Sequence, residues 1–95
     1  MIRVCIDAAD LLTRQDLHRV FAQTLSFPDW YGNNLDAMHD CLTDCRRDVT
    51  LTLLHTDELK EHLGHYAEVL LAMLRDVTEE NPHFRLVTSE NGEGD

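Results

Sequence analysis

The chain has 95 residues, 43% of them apolar, with eight basic against eighteen acidic side chains and a net charge of −10. That length predicts one domain with a small core, and the charge argues against nucleic acid or an anionic membrane as a direct partner. No run approaches the about 18 apolar residues of a membrane span, and the opening MIRVCIDAAD carries charges where a signal peptide is apolar, so a cytoplasmic protein is expected.

In chain order, Ile2 to Ile6 crowds apolar and β-branched residues into a strand, followed by a polar break over Asp7 to Asp10. Thr13 reads as an N-cap with Asp16 three residues on, and Leu12 and Leu17 occupy the positions of a hydrophobic staple. Leu17, Val20, Phe21 and Leu25 then recur at helical spacing, which predicts a helix from about Arg14 to Leu25. The stretch FPDWYGN that follows Ser26 is a loop. Pro28 disfavours helix at Phe27, Gly32 permits a turn, and Phe27, Trp30 and Tyr31 form either a flap on the core or a partly exposed platform.

Asn34 is a plausible cap for a second helix from Leu35 to about Arg46. At about 100° per residue, Leu35, Met38, Cys41, Leu42 and Cys45 share one side, while Asp36, Asp40 and Asp44 form a row on the other. No Lys or Arg lies between Arg19 and Arg46 to neutralise that row, and like charges at i, i+4 destabilise a helix by a few tenths of a kcal/mol. Val49 to Leu54 reads as a buried strand, and Thr56 as the cap of a short helix ending near Gly64. Tyr66, Val69, Leu70, Met73, Leu74 and Val77 predict a last amphipathic helix that stops before Pro82. Phe84 to Thr88 is a final strand. Strands joined by long helical crossovers are parallel, so the fold class is α/β, a small three-stranded parallel sheet packed with helices. The domain spans 1–88 and 89–95 is an acidic tail expected to be disordered.

Three cysteines, Cys5, Cys41 and Cys45, have no disulfide-framework spacing and are expected to be free, buried thiols of a reducing compartment. The chain lacks a glycine-rich phosphate loop, a CxxC pair, an HExxH motif and a nucleophile elbow. His39, His62 and His65 have acidic neighbours but no closed ligand spacing, so neither a metal nor a cofactor is expected. A convex helix face provides no cleft for acid–base work, so the protein is not expected to be an enzyme. The combination of aromatics, a glycine turn and an unpaired carboxylate row beside a capped helix instead has the composition of a protein-binding hot spot.

The stretch FPDWYGNNLDAMHDCLTD resembles the barstar family of intracellular ribonuclease inhibitors, whose signature is an aromatic pair, Gly, a free position, Asn-Leu-Asp-Ala and an Asp shortly after. The likeness extends over nearly the whole chain, including Asp16-Leu17-His18 and Arg75-Asp76. It implies inhibition by plugging the cationic active site of a barnase-like ribonuclease, with carboxylates standing in for phosphates. By this resemblance Asp40 is the central carboxylate and Asp36 a second charge contact. Trp30 corresponds to a tyrosine packed on a catalytic histidine, while Tyr31, Gly32 and Asn34 shape the loop. Asp44 extends the acidic row, and Asp76 corresponds to a glutamate in an outer ion pair. His39 and Cys45 stand where family members often have tryptophan. The resemblance implies an immunity protein, monomeric when free; the alternative is the same scaffold turned to another basic toxin or a regulatory partner.

Overall fold

The computed structural model describes residues 2–89. The elements follow as β1 (Ile2–Asp7), a 3-10 turn (Ala8–Asp10), α1 (Arg14–Leu25), α2 (Leu35–Thr43), β2 (Val49–Leu54), α3 (Thr56–Leu63), α4 (His65–Glu80) and β3 (Phe84–Ser89). The strands form one sheet in the order β1-β2-β3. Both pairings are parallel, with Ile2, Val49 and Phe84 abreast at one end of the sheet and Asp7, Leu54 and Ser89 at the other. Each crossover is a pair of helices, as the expected strand and helix order requires.

Alternation along the strands decides which face carries the core. Val49, Leu51 and Leu53 are buried, whereas Thr50, Thr52 and Leu54 are only half-buried. The strand expected to be buried throughout is therefore buried on one face. The opposite face brings Arg3, Thr50 and Arg85 into one row, and both arginines are exposed. Cys5 lies on that face and is exposed, which corrects the expectation of three buried thiols. Period-2 alternation sets it apart from Val4 and Ile6. All three cysteines are free.

Thr13 caps α1 as expected, its hydroxyl accepting the Asp16 amide at 3.0 Å. Leu12, however, is 59% exposed, so the staple is not made. Leu17 and Phe21 are buried, and so is His18, which the apolar pattern passed over. On α4 the buried stripe is Ala67, Leu70, Leu71, Leu74 and Val77. Val69, expected inside, is 42% exposed. The buried face is rotated toward Ala67 and Leu71.

The start of α3 also differs from the reading. Its N-cap is His55, with φ 59° and ψ 47° and no side-chain capping bond, while Thr56 is the first helical residue and is buried. His55 Nδ1 lies 2.7 Å from Asp7 Oδ1, which fastens the sharp turn after β2 to the end of β1. Gly64, between α3 and α4, has φ 58° and ψ −129°, a conformation that side chains strongly disfavour. The final strand runs one residue beyond expectation, because Ser89 pairs with Leu54. The tail expected after it lies outside the described residues.

Candidate functional site

The aromatic loop is shaped from both ends. Ser26, at the end of α1, is left-handed (φ 57°, ψ 48°), and the Phe27 amide reaches back to the Ala22 carbonyl at 3.0 Å, closing the helix as a Schellman-type turn. At the far end Asn34 caps α2, its Oδ1 accepting the Ala37 amide at 2.8 Å and its Nδ2 donating to the Gly32 carbonyl at 3.2 Å. A Cβ on Gly32 would stand 3.1 Å from Asn34 Nδ2, so this position keeps the cap in place by having no side chain.

Between those ends the adjacent aromatics part company. Trp30 is 76% exposed, while Tyr31 is only 7% exposed and belongs to the core. Phe27 packs on Tyr31 with ring centroids 4.8 Å apart. The Tyr31 hydroxyl is 2.6 Å from His18 Nδ1, and His18 Nε2 is 2.6 Å from the Tyr66 hydroxyl. The Tyr31 hydroxyl also donates to the Asn34 carbonyl, at 3.4 Å. One proton arrangement satisfies this chain: Nδ1–H donates to Tyr31, Tyr31 donates to Asn34, and Tyr66 donates to Nε2. Burial lowers the His18 pKa from the ordinary histidine value, which favours that neutral ring. Burial likewise raises both tyrosines. Arg14 closes the outside, its guanidinium carbon 4.2 Å from the centroid of the Tyr66 ring. A buried polar post thus joins α1, the loop and α4.

On α2, Met38 and Leu42 are buried and Leu35, Cys41 and Cys45 are half-buried, whereas Asp36, Asp40 and Asp44 are exposed. The helix expected to reach Arg46 ends at Thr43. Thr43 Oγ1 donates to the His39 and Asp40 carbonyls, and Asn81 Nδ2 takes up the Leu42 and Cys45 carbonyls at 2.8 and 2.9 Å. The Asn81 bonds reinforce one carbonyl of the last turn, Leu42, and one just beyond it, Cys45, where the helix ends. Asp44, as C-cap, remains right-handed at φ −84° and ψ −7°, so the acidic row continues for one further turn. Among the described residues no ion pair involves Asp36, Asp40 or Asp44. Burial, reinforced by Asp40 and Asp44, raises the Cys41 pKa.

Residues 1–89 match the barstar family, described as the barnase inhibitor. The chain belongs to the barstar family. It is also similar to a protein of Bacillus subtilis (strain 168) named "Putative ribonuclease inhibitor YrdF", at 37% identity over 81 residues, 84% of this chain and 89% of that one. The family is one of inhibitors, so this barstar-family chain is an inhibitor-type protein and not an enzyme.

The barstar-family positions read from the sequence fall on one side of the molecule only in part. Trp30, Gly32, Asn34, Asp36, Asp40 and Asp44 are exposed, and they belong to the loop and α2. Tyr31 points inward, where its hydroxyl meets His18 and the Asn34 carbonyl. His39 does not turn to the carboxylates beside it in sequence: its Nε2 is 2.6 Å from Glu80 Oε2 on α4. Asp76 is exposed one turn before Glu80 on the same helix flank. Cys45 is half-buried, its thiol 3.6 Å from the Arg47 carbonyl. The reading missed Glu80, His18 and Asn81. Only Glu80 left a usable signal, its i, i+4 spacing from Asp76. His62 contacts the Leu11 carbonyl and His65 pairs with Glu68. Among the described residues no group of three or more His, Cys, Asp or Glu could hold a metal, and no helix is long and apolar enough to cross a membrane.

Proposed function

We propose that the protein inhibits a barnase-type ribonuclease by docking the acidic flank of α2 and the exposed Trp30 into its active site. The observation that carries this reading is the row Asp36, Asp40 and Asp44, exposed on a helix packed through its other side and without an ion pair among the described residues. Such a row weakens the isolated helix and gains its value when another molecule supplies cations. A ribonuclease must hold an RNA backbone, so its site carries them. Carboxylate–guanidinium bonds formed there exclude water and slow dissociation, while the net charge of −10 speeds the encounter. Asp40, at the middle of the row, takes the central phosphate position, Asp36 and Asp44 flank it, and Asp76 makes an outer contact. We assign the protein to the cytoplasm of the cell that makes the enzyme, as a monomeric immunity protein. Its three free thiols suit a reducing compartment.

The test is a ribonuclease assay titrated with the protein, beginning with barnase and including other basic ribonucleases. Inhibition is expected to be lost in Asp40→Ala by about 2–5 kcal/mol, the cost of leaving desolvated cations unpaired, and to weaken as salt slows association. An inhibition constant unchanged in Asp40→Ala refutes the mechanism. The tie between His39 and Glu80, at a position where the family often has tryptophan, supports a second reading, a different basic toxin or a regulatory partner. Recovery of a partner that is not a nuclease, dependent on Asp40, establishes it.

A further inference from the structure

The acidic row of α2 does not end at Asp44 in open surface. Beside it lies a groove of about 470 Å³, lined by the exposed Trp30, the half-buried Cys45 and Phe27, and the buried Leu42 and Phe84. Asp44, Arg46 and Arg47 also line it. Along the chain the sign of the exposed side chains reverses here, from the carboxylate of Asp44 to the two adjacent guanidinium groups of Arg46 and Arg47. Arg46 and Arg47 are exposed, and among the described residues neither has an ion pair. Trp30, the single tryptophan of the chain, is 76% exposed and lines the groove. The groove has the size of a small ligand or of a large side chain with its neighbours, and a lining of one exposed aromatic with buried apolar residues is the composition of an anchor pocket.

We propose that this groove receives an apolar side chain of the ribonuclease, and that Arg46 and Arg47 take a carboxylate lying beside that side chain. The assignment rests on the proposed inhibitory function and extends it to the partner's chemistry. Charge complementarity selects the occupant. A surface matching this one presents cations along the about 12 Å from Asp36 to Asp44, at 1.5 Å rise per residue. It then presents an apolar group, and then an acid. Continuity does the rest, because Asp44, the last member of the acidic row, also lines the groove. A purely cationic partner would meet Arg46 and Arg47 with repulsion, so the reversal fixes which way round the enzyme docks.

The probes are 1-anilinonaphthalene-8-sulfonate, an aromatic anion, and barnase, applied to the wild type and to the double variant Arg46→Glu/Arg47→Glu. The dye is expected to bind the free protein saturably with quenching of Trp30, and about tenfold more weakly in the double variant. Barnase is expected to displace it. In the complex the same variant is expected to associate faster, because the inhibitor becomes more acidic, yet to dissociate about tenfold faster, because the groove contact is lost. Dye binding that ignores the substitutions, dye that stays bound under saturating barnase, or an unchanged dissociation rate each overturns the proposal. Failure of the inhibitory reading is visible separately, as inhibition indifferent to Asp40→Ala.

Discussion

Replacing His18 with phenylalanine keeps a ring of similar size in the core and removes both hydrogen bonds of the buried post. The two tyrosines respond differently. The Tyr31 hydroxyl is buried and retains only the 3.4 Å contact to the Asn34 carbonyl, which costs about 1–3 kcal/mol as an under-satisfied polar group. The half-buried Tyr66 can turn its hydroxyl to water, at about 0.5–1.5 kcal/mol. The variant is therefore expected to lose about 2–4 kcal/mol in urea unfolding at pH 7.5. The difference should also depend on pH. Burial holds His18 below the ordinary value of 6.5, so between the folded and unfolded pKa values the unfolded chain binds more protons. Stability from this group is complete above pH 6.5 and falls as the pH drops, with a limiting slope of about 1.4 kcal/mol per pH unit. His55 works in the opposite sense, its pKa being raised chiefly by the hydrogen bond to Asp7. Its contribution is complete below pH 6.5 and is lost as the pH rises, but it cancels when wild type and variant are compared. The gap between them should therefore narrow from pH 7.5 toward pH 5. A gap below about 0.5 kcal/mol, or one that stays constant over that range, refutes the buried neutral post.

Three other outcomes are expected. Asp40→Ala, exposed and flanked by Asp36 and Asp44, should leave thermal unfolding unchanged or raise stability by a few tenths of a kcal/mol; a clear loss would show that the carboxylate serves the fold. Asn81→Leu strips the bonds from the Leu42 and Cys45 carbonyls and should destabilise by about 2–4 kcal/mol, with faster amide exchange in the last turn of α2 measured by NMR. Alkylation followed by mass spectrometry at pH 8 should label exposed Cys5 ahead of Cys41, whose thiolate is disfavoured by burial and by Asp40 and Asp44; the reverse order would contradict the orientation of α2.

The elements and the acidic face were legible because each rests on short-range pattern. Thr13 and Asn34 stand where a cap must stand, and the aspartate row follows from helical spacing alone. The polar posts were not legible, because their partners are distant. His18 meets Tyr66 across 48 positions and Asn81 meets Leu42 across 39. Nothing local marks a histidine in an apolar stripe as half of a three-element contact, and Asn81 announced itself only as the residue before a proline. The same limit explains the helix end. Periodicity carried α2 on to Arg46, but the helix ends at Thr43, where Asn81 takes the Leu42 and Cys45 carbonyls. His39 likewise found Glu80 on α4 rather than its neighbours in sequence.

Those distant contacts also bear on how few groups the proposed binding face needs. α2 is fixed at its start by Asn34 and the Tyr31–His18 post, near its middle by His39 on Glu80, and at its end by Asn81. A helix tethered at three points presents its carboxylates in one arrangement before any partner arrives. The entropy of ordering them is then lost during folding rather than during association, which leaves more of each ionic contact as net affinity. Short side chains add to this, since aspartate has fewer torsions to freeze than glutamate. A rigid row of Asp36, Asp40 and Asp44 can thus offer, in fixed positions, what a flexible acidic segment would have to assemble on contact. The Tyr31–His18 post and Asn81 supply that rigidity from the inner side of the helix, and Asn34 and His39 add to it at its surface, so Asp40 and Asp44 are not needed to hold the helix in place.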